Sequence, residues 1–424
     1  MSSVSRRDFI KGTAAVSAAA LVGGFASNVA HAAGSDVIKI GVIGCGGRGR
    51  GAIGDCMKAS DIAKIGVKFV AFGDLWEDRA KGAMEGAKKA NADKVAADAP
   101  CFGGFDAYQK VIDAGVDQIF LATPPGFRPA HFAAAVKAGK QIFTEKPVCV
   151  DPVGYRVFSE AAAESVKNNL TVVAGTQRRH STRYQATMAK LKDGTIGKLT
   201  GGQFYWLGSP VTHSRERKPG MSDIEWQCQN WYAWSWTCGD HVVEQCVHNI
   251  DIMCWAFGNP ETITALGGRQ VRPEQGNIFD HFAVEYTFKD GVRCTAACSH
   301  WPKSVQRVSE RIVGEKGTSN CNGNIVSHTG EKIWSDDAKE ENHYVQEHVD
   351  CLQSIKGGKH WNEAQQVADS CMAAVVGRMC AYTGREIKWD WATKASKLKL
   401  GPEKLEFGPY APDPVALPGK TELI

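Results

Sequence analysis

The stretch VIKIGVIGCGGRG, residues 37–49, decides the fold of this chain. Its first seven residues are mostly apolar and β-branched, with Lys39 the one charge, and they read as a buried strand that stops at a glycine turn. AIGDCMKA, residues 52–59, follows as a helix, and VKFVAFGD, residues 67–74, as a second strand. Gly44, Gly46 and Gly49 fit the spacing GxGxxG, with Gly47 and Arg48 filling the remaining loop positions. A bare match of this kind is also what a glycine turn beside an unrelated acid would show. Here a strand precedes it and a helix follows. In that setting the first glycine permits the tight turn, the second lets a pyrophosphate approach the backbone, and the third lets helix pack on strand. Amide donors at the helix start hold the phosphates. Asp74 closes the second strand 25 residues after Gly49. It is placed to accept hydrogen bonds from ribose hydroxyls, and its charge would repel a 2′-phosphate, so the pattern predicts NAD as cofactor rather than NADP.

Reading outward, a polar helix over residues 79–97 leads to the apolar run QIFLATPP, residues 118–125. AHFAAAVKAGK, residues 130–140, is a helix closed by Gly139, and QIFTEKP, residues 141–147, is another short strand. Strand alternating with helix predicts an α/β fold with a doubly wound parallel sheet, a Rossmann domain over residues 35–150. The rhythm then changes. Residues 151–424 predict an α+β domain on a mainly antiparallel open sheet, with strands in LTGGQFYWLGS, ETITALGGRQV, FAVEYTFKDGVRCTAACSH, QRVSERIVGEKGTSN and EKIWSDD and a helix with an apolar stripe over residues 364–384.

Residues 1–32 stand apart from both domains. Arg6-Arg7 precedes Phe9-Ile10 and the Ala/Gly-rich run AAVSAAALVGGFA, and Ala30-His31-Ala32 offers a small-x-small cleavage pattern. This predicts a twin-arginine signal, export in the folded state by the Tat machinery, and a periplasmic location. Lys plus Arg number 50 against 46 Asp plus Glu, a formal charge of +4, which argues against a nucleic-acid partner. No later apolar run is long enough for stable membrane insertion. Fourteen cysteines in an exported chain suggest disulfides. Their apolar surroundings and non-zinc spacings favour buried, unpaired thiols.

Thr144-Glu145-Lys146-Pro147 ends a strand at the carboxyl edge of the sheet, where ligands bind in open α/β folds. Alone it could be a surface turn with a solvated lysine. Together with the glycine loop, Asp74, Thr123-Pro124-Pro125 and Pro129-Ala130-His131, it resembles the Gfo/Idh/MocA family, named for glucose-fructose oxidoreductase and inositol dehydrogenase. The likeness covers nearly the whole mature chain. It implies that Lys146 contacts the nicotinamide ribose and the substrate, that Thr123, Pro124, His131 and Glu145 belong to the cofactor site, and that Gln177, Arg178 and Arg179 line the substrate pocket. It also implies a homo-oligomer. The family's second signature, roughly DxGxHxxD, falls on residues 244–251, with His248 at the histidine and Asp251 at the later acid. Glu244 replaces the first acid and Cys246 the glycine.

On one continuous helix Glu244, His248 and Asp251 would share a face. An imidazole beside a carboxylate can take the proton of a hydroxyl as hydride leaves the same carbon, with Lys146 stabilising the alkoxide. Standing alone, His248 would read as a satisfied core histidine. A metal held by His241, Glu244 and His248 is geometrically imaginable, but family precedent is against it and no metal is expected. WQCQNWYAWSW, residues 226–236, supplies Trp231, Tyr232 and Trp234, aromatics suited to the C–H faces of sugar rings or, equally, to a subunit interface.

The expectation is an NAD-dependent oxidoreductase acting on a CH–OH group of a sugar or glycoside. Because free NAD is scarce outside the cytoplasm, the cofactor would be held tightly. The alternative is a glycoside hydrolase working by oxidation, elimination and re-reduction; the Tyr-Pro-Thr-His segment of that branch is replaced here by EQCVH. A non-catalytic sugar-binding module is the third reading.

Overall fold

The computed structural model describes residues 37–211, 215–272 and 275–424, so the twin-arginine segment lies outside the described residues. Strand β1 (Val37–Ile43) buries Ile38, Ile40, Val42 and Ile43. It pairs in parallel with β2 (Gly66–Gly73) on one side and β4 (Gln118–Leu121) on the other. With β3 (Cys101–Phe102), β5 (Gln141–Thr144) and β6 (Val172–Ala174) these strands form a six-stranded sheet in the order β3-β2-β1-β4-β5-β6. All its pairings are parallel because helices make the major crossovers, among them Gly47–Ala63, Glu77–Ala90 and Arg128–Lys137. The strand order reverses between β1 and β4, which opens a crevice at their carboxyl ends.

The sheet does not stop at residue 150, where the sequence reading placed the boundary. Helix Pro152–Lys167, expected to begin the second domain, is the crossover into β6. The far end of the chain also returns: helix His343–Gly357, not anticipated from the sequence, packs along Gly47–Ala63. Its Val345, Val349, Cys351 and Leu352 share one core with Ile40, Ala52, Cys56 and Phe69.

The second sheet has nine strands: β7 (Leu199–Gly208), β8 (Thr262–Gly268), β9 (His281–Thr287), β10 (Arg293–His300), β11 (Arg307–Gly314), β12 (Gly317–Ser319), β13 (Asn324–Ser327), β14 (Lys332–Ser335) and β15 (Ile387–Lys388). Their order is β14-β13-β12-β11-β7-β10-β9-β8-β15, antiparallel except where β10 runs parallel to β7. Alternation along the strands buries Phe204, Ile263, Val284, Tyr286, Cys294, Ala296 and Cys298. Helix Ala364–Thr383 lies in the same core, which explains why it is apolar nearly all round. The cysteines are unpaired, most of them in these cores. Among the described residues no helix is long and apolar enough to cross a membrane.

His180 ties the returning helix to the end of β6. Its Nδ1 lies 2.7 Å from Asp350 Oδ2 on the returning helix and its Nε2 3.3 Å from Glu363 Oε2. Glu363 in turn accepts from the Ala174 amide at the end of β6. Burial opposes charge on the ring, but the two carboxylates prevail and push its pKa up to about 10. A pKa raised from about 6.5 stabilises fully below pH 6.5, and that contribution is lost as pH rises through 10. His180→Gln should cost roughly 3 kcal/mol near neutral pH and remove part of the loss of stability between pH 7 and 10. Denaturant midpoints measured across that range check this; parallel curves for the two proteins would contradict it.

Candidate active site

The carboxyl ends of β1, β2, β4 and β5 open into a cleft of about 450 Å³. Its floor is the turn after β1. Gly44 has φ +96°, and a Cβ there would sit 2.5 Å from the backbone of Ala122 and Thr123. At Gly49 a Cβ would lie 1.9 Å from the Gly44 carbonyl oxygen, so this glycine serves helix–strand packing and does not line the cleft. In front of Gly46 and Gly47 there is open space. The helix begins at Gly47 with no side-chain cap and no acid in its first turn, leaving its amide end electropositive at the cleft.

Asp74, at the end of β2, accepts from the Cys45 amide at 2.8 Å and the Trp76 amide at 3.2 Å. Burial pushes its pKa up; Arg79, 3.6 Å away, and the amides oppose that. Thr123, Pro124 and His131 line the neighbouring wall. Thr123 Oγ1 lies 3.3 Å from His131 Nδ1, and the imidazole stacks on Tyr108 with centroids 4.3 Å apart. Burial and the nearby Arg128 lower the His131 pKa to about 3, so the ring is neutral. Glycines open to the cleft, an uncapped helix start and an acid fixed at the second strand fit NAD; Gly46 and Gly47 would hold its phosphates and Asp74 its ribose.

The opposite end of the cleft joins the two halves of the chain. Glu145 Oε1 lies 2.6 Å from Arg48 Nε. Lys146 Nζ donates to the Glu244 carbonyl at 2.7 Å and to its carboxylate Oε1 at 3.2 Å. Glu244 and His248 do not share one helical face, as the sequence spacing suggested: the helix is interrupted, with one turn at His241–Glu244 and the next helix starting at Val247. The break still brings Glu244, Gln245 and His248 to the cleft. His248 stacks on Trp206, centroids 5.5 Å apart. Burial, then the positive charges of Lys146 and Arg178, hold its pKa well below 6.5.

Several expected residues lie elsewhere. Asp251 does not reach His248: it forms a buried bidentate pair with Arg179, at 2.8 and 2.9 Å, and accepts from Ser370 Oγ at 2.7 Å. Both Asp251 and Arg179 are thereby removed from the cleft, because each satisfies the other in the core. Gln177 donates to Tyr344 Oη at 3.0 Å, and Arg178 pairs with Glu310, so they stand behind the lining rather than in it. Of the aromatic segment only Trp231 among Trp231, Tyr232 and Trp234 lines the cleft. Tyr232 and Trp234 are buried, the latter against Trp226 at 5.3 Å.

Other lining residues escaped the sequence reading. Trp206 follows Gly202 and Phe204 on one face of β7, an alternation that carried the signal. Tyr344 comes from the unanticipated helix and had none. Arg128, within the stretch between the two quoted motifs, is buried and donates to the carbonyls of Thr123, Glu145 and Pro147, tying both cofactor loops together.

A glycine-floored dinucleotide cleft, meeting a lysine and an imidazole from opposite halves of the chain, defines an NAD-binding oxidoreductase. The matches agree: residues 38–174 match the oxidoreductase family model with an NAD-binding Rossmann fold, residues 184–320 the GFO/IDH/MocA C-terminal domain, and residues 3–23 the twin-arginine translocation signal. The chain belongs to the Gfo/Idh/MocA family of oxidoreductases. It is 28% identical over 222 residues to an inositol 2-dehydrogenase of Serratia proteamaculans, covering 51% of this chain and 54% of that one. Against the inositol 2-dehydrogenase of Acidiphilium cryptum it is 23% identical, covering 66% and 72%. The fold is similar to that of levoglucosan dehydrogenase, solved with NADH and levoglucosan (TM-score 0.64, 15% identity, 83% and 99% covered). It is equally similar to aldose-aldose oxidoreductase from Caulobacter crescentus (TM-score 0.64, 14% identity, 83% and 99% covered).

The two kinds of glycine separate experimentally. Gly46→Val should leave the melting temperature unchanged while weakening NAD binding at least tenfold, because its side chain enters open space needed by the phosphates. Gly49→Ala should lower the melting temperature through the backbone clash. Calorimetric titration and thermal melts check both; full NAD affinity in Gly46→Val would contradict the placement of the phosphates.

Proposed function

We propose that this protein oxidises a secondary hydroxyl of a sugar, sugar-like polyol or glycoside, with His248 as proton acceptor and Lys146 as the donor to the developing alkoxide. The observation that carries this reading is that Lys146, Glu244 and His248 line one cleft with the glycine loop. When bound, NAD supplies the hydride acceptor. The neutral His248 ring keeps a lone pair for the substrate proton at physiological pH. An ammonium carries three N–H groups; two of those on Lys146 are engaged by Glu244, and the third is left for the substrate oxygen. Glu244 thus aims the lysine. Trp206 fixes the plane of the imidazole and, with Trp231, offers apolar walls to the C–H faces of a ring. The names of the similar proteins, which include inositol and levoglucosan dehydrogenases, support a polyhydroxylated substrate. The export signal supports action in the periplasm, after Tat-dependent translocation with the cofactor already held.

Free sugars, cyclitols and aryl glycosides tested as panels, following NADH absorbance and phenol release together, distinguish oxidation from glycoside cleavage. NADH formation without phenol is expected; stoichiometric phenol without net NADH would replace this reading by the redox-neutral hydrolase. Lys146→Ala and His248→Ala should each lower kcat by roughly a hundredfold. Because the pKa of His248 lies well below 6.5, the wild-type rate should show no loss attributable to this group between pH 7.5 and 6. An acid limb centred near 6.5 that vanishes in His248→Ala would contradict a neutral imidazole.

A further inference from the structure

Asp240 stands immediately before the turn that carries Glu244, with φ +80° and ψ +165°. That region is essentially reserved for glycine, and a residue with a side chain stays there only where its surroundings hold it. Asp240 is fully buried, and three donors hold its carboxylate. Oδ1 accepts from the His241 amide; Oδ2 accepts from the Phe279 amide at 2.8 Å and from Tyr382 Oη at 2.6 Å. The neighbouring Gly239 carbonyl accepts from Arg378 Nη1 at 3.0 Å, and that guanidinium lies over the Tyr382 ring, 5.6 Å from its centroid. Tyr382 and Arg378 both belong to helix Ala364–Thr383, and Phe279 lies two residues before β9.

A glycine would adopt this backbone without strain, but it would carry no group to reach Tyr382 or Phe279. The aspartate bears the strain because its carboxylate is an anchor. What the anchor fixes is on the page. The Asp240 carbonyl accepts from the Val243 amide at 3.0 Å and from the Glu244 amide at 2.9 Å. Glu244 in turn holds Lys146 Nζ through both its carbonyl and its carboxylate. Hydrogen bonds therefore run unbroken from the long helix to the lysine, through Tyr382, Asp240 and Glu244. We propose that Asp240 is a positioning residue for Lys146: its anchored carboxylate fixes the Glu244 turn and, through that turn, the ammonium. The consequence for turnover rests on the oxidoreductase reading above; the grip itself concerns only bonds within the chain.

The test compares Asp240→Gly, which relieves the backbone and removes the anchor, with Tyr382→Phe, which removes one hydroxyl and leaves the carboxylate. Neither residue lines the cleft. Trace acetylation with acetic anhydride, applied to the full chain saturated with NAD and read by mass spectrometry, reports how firmly each lysine is held. Lys146 should react at least fivefold faster in Asp240→Gly than in the wild type. Lys140, whose Nζ donates to the Val116 carbonyl at 2.8 Å, should be unchanged. Tyr382→Phe should accelerate Lys146 at least twofold, and adding it to Asp240→Gly should accelerate it no further, because the hydroxyl acts through the carboxylate. On a substrate found by the panels above, Asp240→Gly should lower kcat at least tenfold with KM changed less than threefold. Unchanged Lys146 reactivity in Asp240→Gly would overturn the proposal. So would equal acceleration at Lys140, full additivity of the two variants, or an undiminished kcat where Lys146→Ala loses a hundredfold. Full activity in Lys146→Ala would instead overturn the reaction roles, and the labelling would still decide the anchor. If Asp240→Gly does not fold, the ratio of Lys146 to Lys140 labelling in Tyr382→Phe decides.

Discussion

The hydrogen bond from Lys146 Nζ to the Glu244 carbonyl is the contact on which the geometry of the cleft depends. It spans 98 residues of sequence and joins the edge of the parallel sheet to the helical segment of the other half. In an uninterrupted α-helix that carbonyl would accept from the amide of residue 248. Here the His248 amide donates to the Gln245 carbonyl at 3.2 Å instead, and the Gln245 and Cys246 amides turn back to His241. The interruption therefore frees one backbone acceptor where a cation must be held. It also sets Glu244 and His248 on separate turns that converge on the same space.

Around that bond the other charged groups are placed by what they cannot reach. Arg128 is buried and collects three backbone carbonyls from the loops after β4 and β5, so the loop bearing Lys146 is pinned to the loop bearing Thr123. Arg48 leaves the glycine loop to meet Glu145, Asp55 and the face of Tyr344, at 5.3 Å from the ring centroid. Behind His248, Arg178 lies over Trp206 and is neutralised by Glu310, which also accepts from Asn249 at 2.8 Å. Burial first, and then the Lys146 and Arg178 charges nearby, keep the imidazole neutral.

The parallel sheet and its cofactor loop were legible because their signals are local: a β-branched run, glycines at fixed intervals and an acid closing the next strand all lie within forty residues. The antiparallel sheet was legible from alternation and turn residues. What misled was spacing read as continuity. Residues 244, 248 and 251 have helical intervals, but the Cys246 amide reaching back five residues to His241 and the His248 amide only three to Gln245 break the helix, and Asp251 finds Arg179 in the core. The charged run at residues 177–179 looked like a substrate wall, yet each member had a partner distant in sequence: Tyr344, Glu310 and Asp251. Tyr344 illustrates the same limit, since it sits on a helix whose modest apolar stripe only acquires meaning against a surface 300 residues earlier.

That helix, His343–Gly357, has a temporal consequence. A ribosome emits the glycine loop long before it emits the segment that covers Gly47–Ala63, so the apolar flank of the first crossover stays wet until most of the polypeptide has been made. Tyr344 likewise reaches the dinucleotide crevice only then. Maturation of the nucleotide pocket is accordingly a late, whole-molecule event, the timing suited to a translocation route that accepts only finished cargo.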